Sequence, residues 1–285
     1  MSRPRATAIG FGAVLLWAAL ALFTVGVGPM PPFQLTAICF AIGGLLGLAW
    51  LALSGKGLAA LRGLPPAVWL VGIGGLFGYH LCYFTALRLA PPAQASLIAY
   101  LWPLLIVLFS GLLPGERLRP LHVLGALIAF AGAALVVAGP GAGFSAAALP
   151  GYAAAAACAL IWSGYSILSR RLGQAPTETV TVFCLATAAL SALAHLALET
   201  TVWPGSALAW ASLVALGLGP VGLAFYLWDI GVKRGDIQLL GTASYAAPLL
   251  STLILVLAGF ATPSLGLGLS ALLIAGGALL AARAG

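Results

Sequence analysis

Ser96-Leu-Ile-Ala-Tyr100-Leu-Trp102-Pro103-Leu-Leu105 is an apolar stretch of helical character with a tyrosine, a tryptophan and a proline near its middle. Proline has no N–H to donate and its ring clashes with the carbonyl four residues back, so Pro103 predicts a bend that frees the carbonyl of Ala99. Such a break is tolerated in a bilayer where neighbouring helices or a wet cavity satisfy it. A shift of 145 residues lays Tyr100 and Pro103 on Tyr245 and Pro248, within Ala243-Ser-Tyr-Ala-Ala-Pro-Leu-Leu250, where the freed carbonyl would be that of Ser244. The same ungapped register lays Trp17 on Trp162, Arg88 on Lys233, Tyr83 on Trp228, Gly72 on Gly217, Gly74 on Gly219 and Gly132 on Gly277. Matches among rare residue types identify a repeat where matched leucines and alanines would not.

The composition around this stretch settles the solvent. Hydrophobic residues make up 62% of the 285 and charged ones 6%, which excludes an ordinary soluble surface. Apolar runs of the length that crosses the hydrocarbon core, about 20 residues, fall near 7–28, 33–53, 66–88, 92–112, 121–139, 150–169, 178–198, 207–230, 236–258 and 264–282. The fold predicted is an all-α integral membrane protein of ten transmembrane helices. It has five helices in residues 1–140 and five in 141–285, with the boundary at Gly139-Pro-Gly-Ala-Gly143. Five is odd, so the second half must enter the membrane from the opposite side, giving two inverted repeats. In secondary transporters that arrangement places the substrate site near the midplane between the halves.

Of the 12 lysines and arginines, all but Arg88 fall on the face of the two termini, Lys56, Arg62, Arg117 and Arg119 among them. This is the positive-inside pattern, and it predicts cytoplasmic termini. The net charge of +7 therefore reports orientation rather than a nucleic-acid partner. Arg3 and Arg5 before an apolar run could suggest a leader, but the run is too long for one and is read as the first membrane helix.

Aromatic and polar residues at membrane depth are the candidate site. Trp17 lies midway along the first span, whereas membrane tryptophans concentrate at the headgroup level. Its mate Trp162 shares a helical stripe with Cys158, Tyr165, Ser166 and Ser169, and Tyr79, His80 and Tyr83 share a broad face of the third span. His80 is the one histidine deep in a span, and an ionisable group there is a functional candidate. Tyr100 and Trp102 are about 200° apart on an ideal helix, so they can line one cavity only if the helix is distorted. The predicted substrate-binding set is Trp17, Tyr79, His80, Tyr83, Tyr100, Trp102, Trp162 and Tyr245, with Pro103 and Pro248 as kinks. The small-residue patterns Gly43-x-x-x-Gly47 and Gly72-x-Gly74-Gly75 are read as packing faces.

Cys39, Cys82, Cys158 and Cys184 form no Cys-x-x-Cys pair, so no disulfide framework, metal site or cofactor is expected. No phosphate loop or zinc-protease motif is found, and the five acidic residues lie near span ends, so no enzyme is expected. Asp229 stands four residues before Lys233, the spacing of a structural ion pair.

Ten short helices in two halves of five, with Arg5-Ala-Thr-Ala-Ile-Gly10 before Leu16-Trp17, Tyr100-Leu-Trp-Pro103 and Ser244-Tyr245 before Pro248-Leu, resemble the EamA-type drug/metabolite transporters. Within these the resemblance is to the YddG-type aromatic amino-acid exporters. It implies a secondary transporter in the bacterial inner membrane. Aromatic and other neutral amino acids would leave the cytoplasm through a central aromatic-lined cavity by alternating access. Exporters of other metabolites or drugs are the alternative, and a non-transporting membrane scaffold a more distant one. The expected partners are a small-molecule substrate and the lipid bilayer.

Overall fold

The structure is a computed structural model that describes residues 1–55, 57–137, 145–260, 262 and 264–284. Lys56 and the Gly139–Gly143 stretch expected as the boundary lie outside the described residues. Ten membrane spans follow in order: α1 (Arg3–Val27), α2 (Pro32–Leu53), α3 (Pro66–Leu89), α4 (Pro92–Ser110), α5 (Pro120–Val137), α6 (Ala146–Arg171), α7 (Thr179–Leu198), α8 (Ala207–Arg234), α9 (Ile237–Leu257) and α10 (Leu265–Ala282).

The starts of the helices follow from local chemistry. Pro32, Pro66 and Pro92 open α2, α3 and α4, where a missing N–H costs nothing, and each follows a proline in extended backbone. In the second half polar caps replace the prolines: Ser206, Asp236 and Ser264 accept the N–H groups of Ala209, Leu239 and Leu267. The repeat register holds here too, since Pro91-Pro92 corresponds to Asp236-Ile237.

The packing has the symmetry of the sequence. α1 packs on α8 and α3 on α6, while α2 meets α7, α4 meets α9 and α5 meets α10. Exchanging the halves converts the first pairing into the second and each of the others into itself, as two related halves require. Lipid tails are as apolar as the helices, so association rests on close van der Waals fit between small residues. A Cβ on Gly10 would stand 2.8 Å from the Cα of Gly231 where α1 crosses α8, and one on Gly43 would stand 2.9 Å from the Cα of Gly222. Gly75 similarly receives the Tyr165 ring.

Four spans are interrupted. α4 is two helices, Pro92–Ala99 and Trp102–Ser110, and α9 is also two, Ile237–Ala243 and Ala246–Leu257. Pro103 and Pro248 thus sit in the first turn of a new helix rather than inside a bent one. The carbonyl of Ser244, expected to be freed, instead accepts the Ala247 N–H at 3.1 Å in a tightened turn. α1 breaks at Ala19. α8 contains a π turn at Gly219–Leu223 that its repeat mate α3 lacks.

Candidate functional site

Four tryptophans from four spans meet midway along the bundle. Trp17 of α1 lies 5.7 Å from Trp162 of α6, 5.2 Å from Trp228 of α8 and 6.2 Å from Trp102 of α4, centroid to centroid. Trp102 and Trp228 are 5.7 Å apart and nearly perpendicular. Most of these contacts are edge-to-face, in which a positive ring edge meets a negative ring face. Trp228, Trp162 and Trp102 are buried and Trp17 is half-buried.

The indole N–H groups reveal how two rings are fixed. Trp17 Nε1 donates to the carbonyl of Pro220 at 3.1 Å, inside the π turn of α8. Trp228 Nε1 donates to Ser166 Oγ at 3.1 Å, and that hydroxyl donates to the Trp162 carbonyl at 3.0 Å.

Beside the tryptophans stand half-buried residues of α3 and α4. The Tyr79 ring tilts against Trp162 at 5.2 Å and stacks on Tyr83 at 6.0 Å. Tyr83 and Ser96 share a hydroxyl contact at 3.4 Å. His80 Nδ1 lies 2.7 Å from the Leu76 carbonyl and therefore donates to it, which leaves Nε2 free to face the cluster. Its faces meet Phe40 at 5.0 Å and Tyr79 at 5.2 Å. Tyr100 occupies the break of α4, near enough to Tyr79 and Tyr83 for their phenols to interact electrostatically. The helix stops at Ala99 and restarts at Trp102, so Tyr100 stands in the break while Trp102 opens the second helix.

Seven of the eight predicted residues thus share one neighbourhood. Tyr245 lies elsewhere, fully buried among Ala129, Phe130, Leu249 and Ile274, and its hydroxyl accepts the Leu104 N–H at 3.1 Å. Trp228, Phe225 and Phe40 pack against the same cluster and are not in the predicted set. The available signal was the i, i+3 spacing of Phe225 and Trp228 beside the Tyr83 register.

Charged groups close the two ends. On the face of the termini, Glu116 pairs with Arg170 and Arg3, Arg3 also reaches Asp236 Oδ2 at 3.2 Å, and Arg170 donates to the carbonyls of Val232 and Gly235. On the opposite face the Glu199 carboxylate accepts the N–H groups of Phe33 and Gln34 at 3.1 Å and pairs with Arg88 and His195 at 3.0 Å. It caps the N-terminus of α2 from the end of α7, where the helix dipole favours an anion. Asp229 is fully buried, and Lys233 meets it at 2.8 Å, the ion pair expected from the spacing. Among the described residues no three His, Cys, Asp or Glu side chains come together in a metal-holding group.

The sequence matches the EamA-like transporter family twice, over residues 5–138 and 149–283. The chain belongs to that family. This EamA-like chain is 61% identical to the protein named aromatic amino acid exporter YddG of Ancylobacter novellus, over 99% of this chain and 98% of that one. It is 26% identical to the protein of the same name from Escherichia coli over 98% and 97% of the two chains. A crystal structure 60% identical to it superposes with a TM-score of 0.95 and covers 99% of both chains. The protein is a multi-pass membrane transporter of EamA type.

Proposed function

We propose that this transporter exports aromatic and other neutral amino acids from the bacterial cytoplasm across the inner membrane, by alternating access through the tryptophan-centred region between its halves. The observation that carries the reading is the meeting of Trp17, Trp102, Trp162 and Trp228 beside half-buried Tyr79, His80, Tyr83 and Tyr100. The names of the relatives point to the same substrate class.

An amino acid suits such surroundings. Its side chain can stack on aromatic faces, and its ammonium gains about 0.5–2 kcal/mol from each ring face it meets when desolvated. The phenols of Tyr79, Tyr83 and Tyr100 and the His80 Nε2 supply hydrogen bonds to the carboxylate and ammonium. Pro103 and Pro248 open the helix breaks and act on transport through helix geometry rather than by touching substrate. With the termini in the cytoplasm, the Glu116–Arg170–Arg3–Asp236 group is the inner closure and Glu199 with Arg88 the outer one.

The test is transport in proteoliposomes preloaded with labelled Phe, Trp, Thr or Met. Efflux of the aromatic pair above protein-free vesicles is the expected result. No movement of any of the four under any ion gradient defeats the reading.

A further inference from the structure

On the face of the termini, α1 and α9 do not close fully against each other. A crevice of about 500 Å³ remains, lined by Arg3, Thr7, Phe11, Asp236, Leu239 and Ala243. Its direction follows from helix geometry. Ala6, Gly10, Ala13, Val14 and Trp17 form the inward face of α1, whereas Pro4, Ala8 and Phe11 lie about two fifths of a turn away, toward exposed Leu15. On α9, Leu239 and Ala243 likewise lie away from buried Ile237, Gln238 and Gly241. The crevice therefore opens sideways to lipid. Its walls are apolar for about two turns, or about 10 Å. Its rim, at the first residues of both spans, carries the Arg3 guanidinium and the Asp236 carboxylate, and the Glu116 carboxylate meets Arg3 beside them.

From this combination we infer that the crevice binds one phospholipid with a zwitterionic, primary-ammonium headgroup, of the ethanolamine type. The acyl chain lies along Phe11, Leu239 and Ala243, the phosphate meets Arg3, and the ammonium meets Asp236 and Glu116. Arg3 Nη2 reaches both carboxylates, at 3.2 and 3.3 Å, and the guanidinium keeps further donors for a phosphate. Asp236 Oδ1 accepts the Leu239 N–H, yet each carboxylate oxygen has a second lone pair for an ammonium N–H. A choline headgroup has no N–H to give. A glycerol headgroup brings the phosphate charge alone to a rim with two carboxylates, and the second guanidinium there, Arg170, is already bonded to Glu116, Val232 and Gly235.

Native mass spectrometry of the detergent-purified protein, titrated with ethanolamine, choline and glycerol phospholipids of identical acyl chains, tests the inference. The expected result is retention of one ethanolamine lipid about tenfold more strongly than either other class, the scale of a charge-assisted hydrogen bond. Asp236→Asn, which keeps the helix-capping oxygen and removes the charge, should abolish that preference. Leu239→Trp, which fills the crevice, should expel the lipid whatever its headgroup, with an unchanged melting curve as the folding control. Equal retention of the three classes by the wild-type protein overturns the inference without any variant. Retention of the preference in folded Leu239→Trp moves the lipid to another surface and also overturns it. Displacement of the lipid by free phenylalanine would assign the crevice to the substrate path instead.

Discussion

The phenolic oxygen of Tyr245 accepts the backbone N–H of Leu104 at 3.1 Å, so the tyrosine at one half's helix break supports the backbone at the other half's break. The bond crosses the α4–α9 pairing, where both interrupted spans meet. Tyr245→Phe leaves that part-buried N–H unpaired, at a cost of about 1 kcal/mol. The variant should melt at lower temperature in detergent and transport more slowly while keeping its apparent affinity for substrate. A raised KM at normal stability would place Tyr245 on the substrate instead.

Pro103→Ala supplies an N–H at the position where α4 is interrupted. The two halves of the span should then join into a straighter helix, shifting Tyr100 relative to the tryptophans. Transport at matched expression should fall by at least an order of magnitude, while the protein still folds. Rates equal to wild type would reduce the break to a packing feature.

Trp17→Phe keeps an aromatic ring in the cluster but loses the indole bond to Pro220. One such bond contributes about 1 kcal/mol. A roughly fivefold loss of efflux and a small fall in melting temperature are expected. Trp17→Ala, which also loses the ring contacts to three tryptophans, should be far worse.

Gly231→Ala places a Cβ 2.5 Å from the Cα of Gly10 and must separate α1 from α8. The amount of folded protein recovered from membranes should drop sharply. Gly74→Ala is the matched control, since an added Cβ there meets nothing within 4 Å. Size-exclusion profiles of the two variants in detergent distinguish them.

Glu199→Gln removes the charge that meets Arg88 and His195 but keeps an oxygen for the Phe33 and Gln34 N–H groups. Charge-assisted bonds contribute about 1.5–3 kcal/mol each in favourable sites. The variant should be less stable, and more so in low salt, where the wild-type ion pair is least screened.

The features legible in the sequence are the local ones. Ten apolar runs, the Pro103 and Pro248 interruptions and the Asp229–Lys233 pair each depend on residues within a turn or two of one another. The repeat was legible because tryptophan and proline are rare enough to register. The Tyr245–Leu104 bond and the Glu199 cap on α2 could not be read, because each joins residues more than a hundred positions apart. Repeat register and a place among polar residues of the ninth span put Tyr245 in the predicted set, whereas its surroundings are those of a packed tyrosine. The π turn was hidden because Gly219-Pro-Val-Gly222 lies within an unbroken apolar run that reads as ordinary helix.

That π turn sets the two halves apart where their tryptophans meet. Two identical halves about a two-fold axis would present every group twice, in mirrored order along the membrane normal. A small molecule without an axis of its own would then have two equivalent poses. One extra residue in a turn rotates everything beyond it by about 100°. Although Trp228 and Tyr83 share a register, the first joins the tryptophans while the second stacks on Tyr79 and reaches Ser96. The π turn thus makes the two halves present different groups at the centre, so that a ligand lying there as proposed would meet two distinct ends.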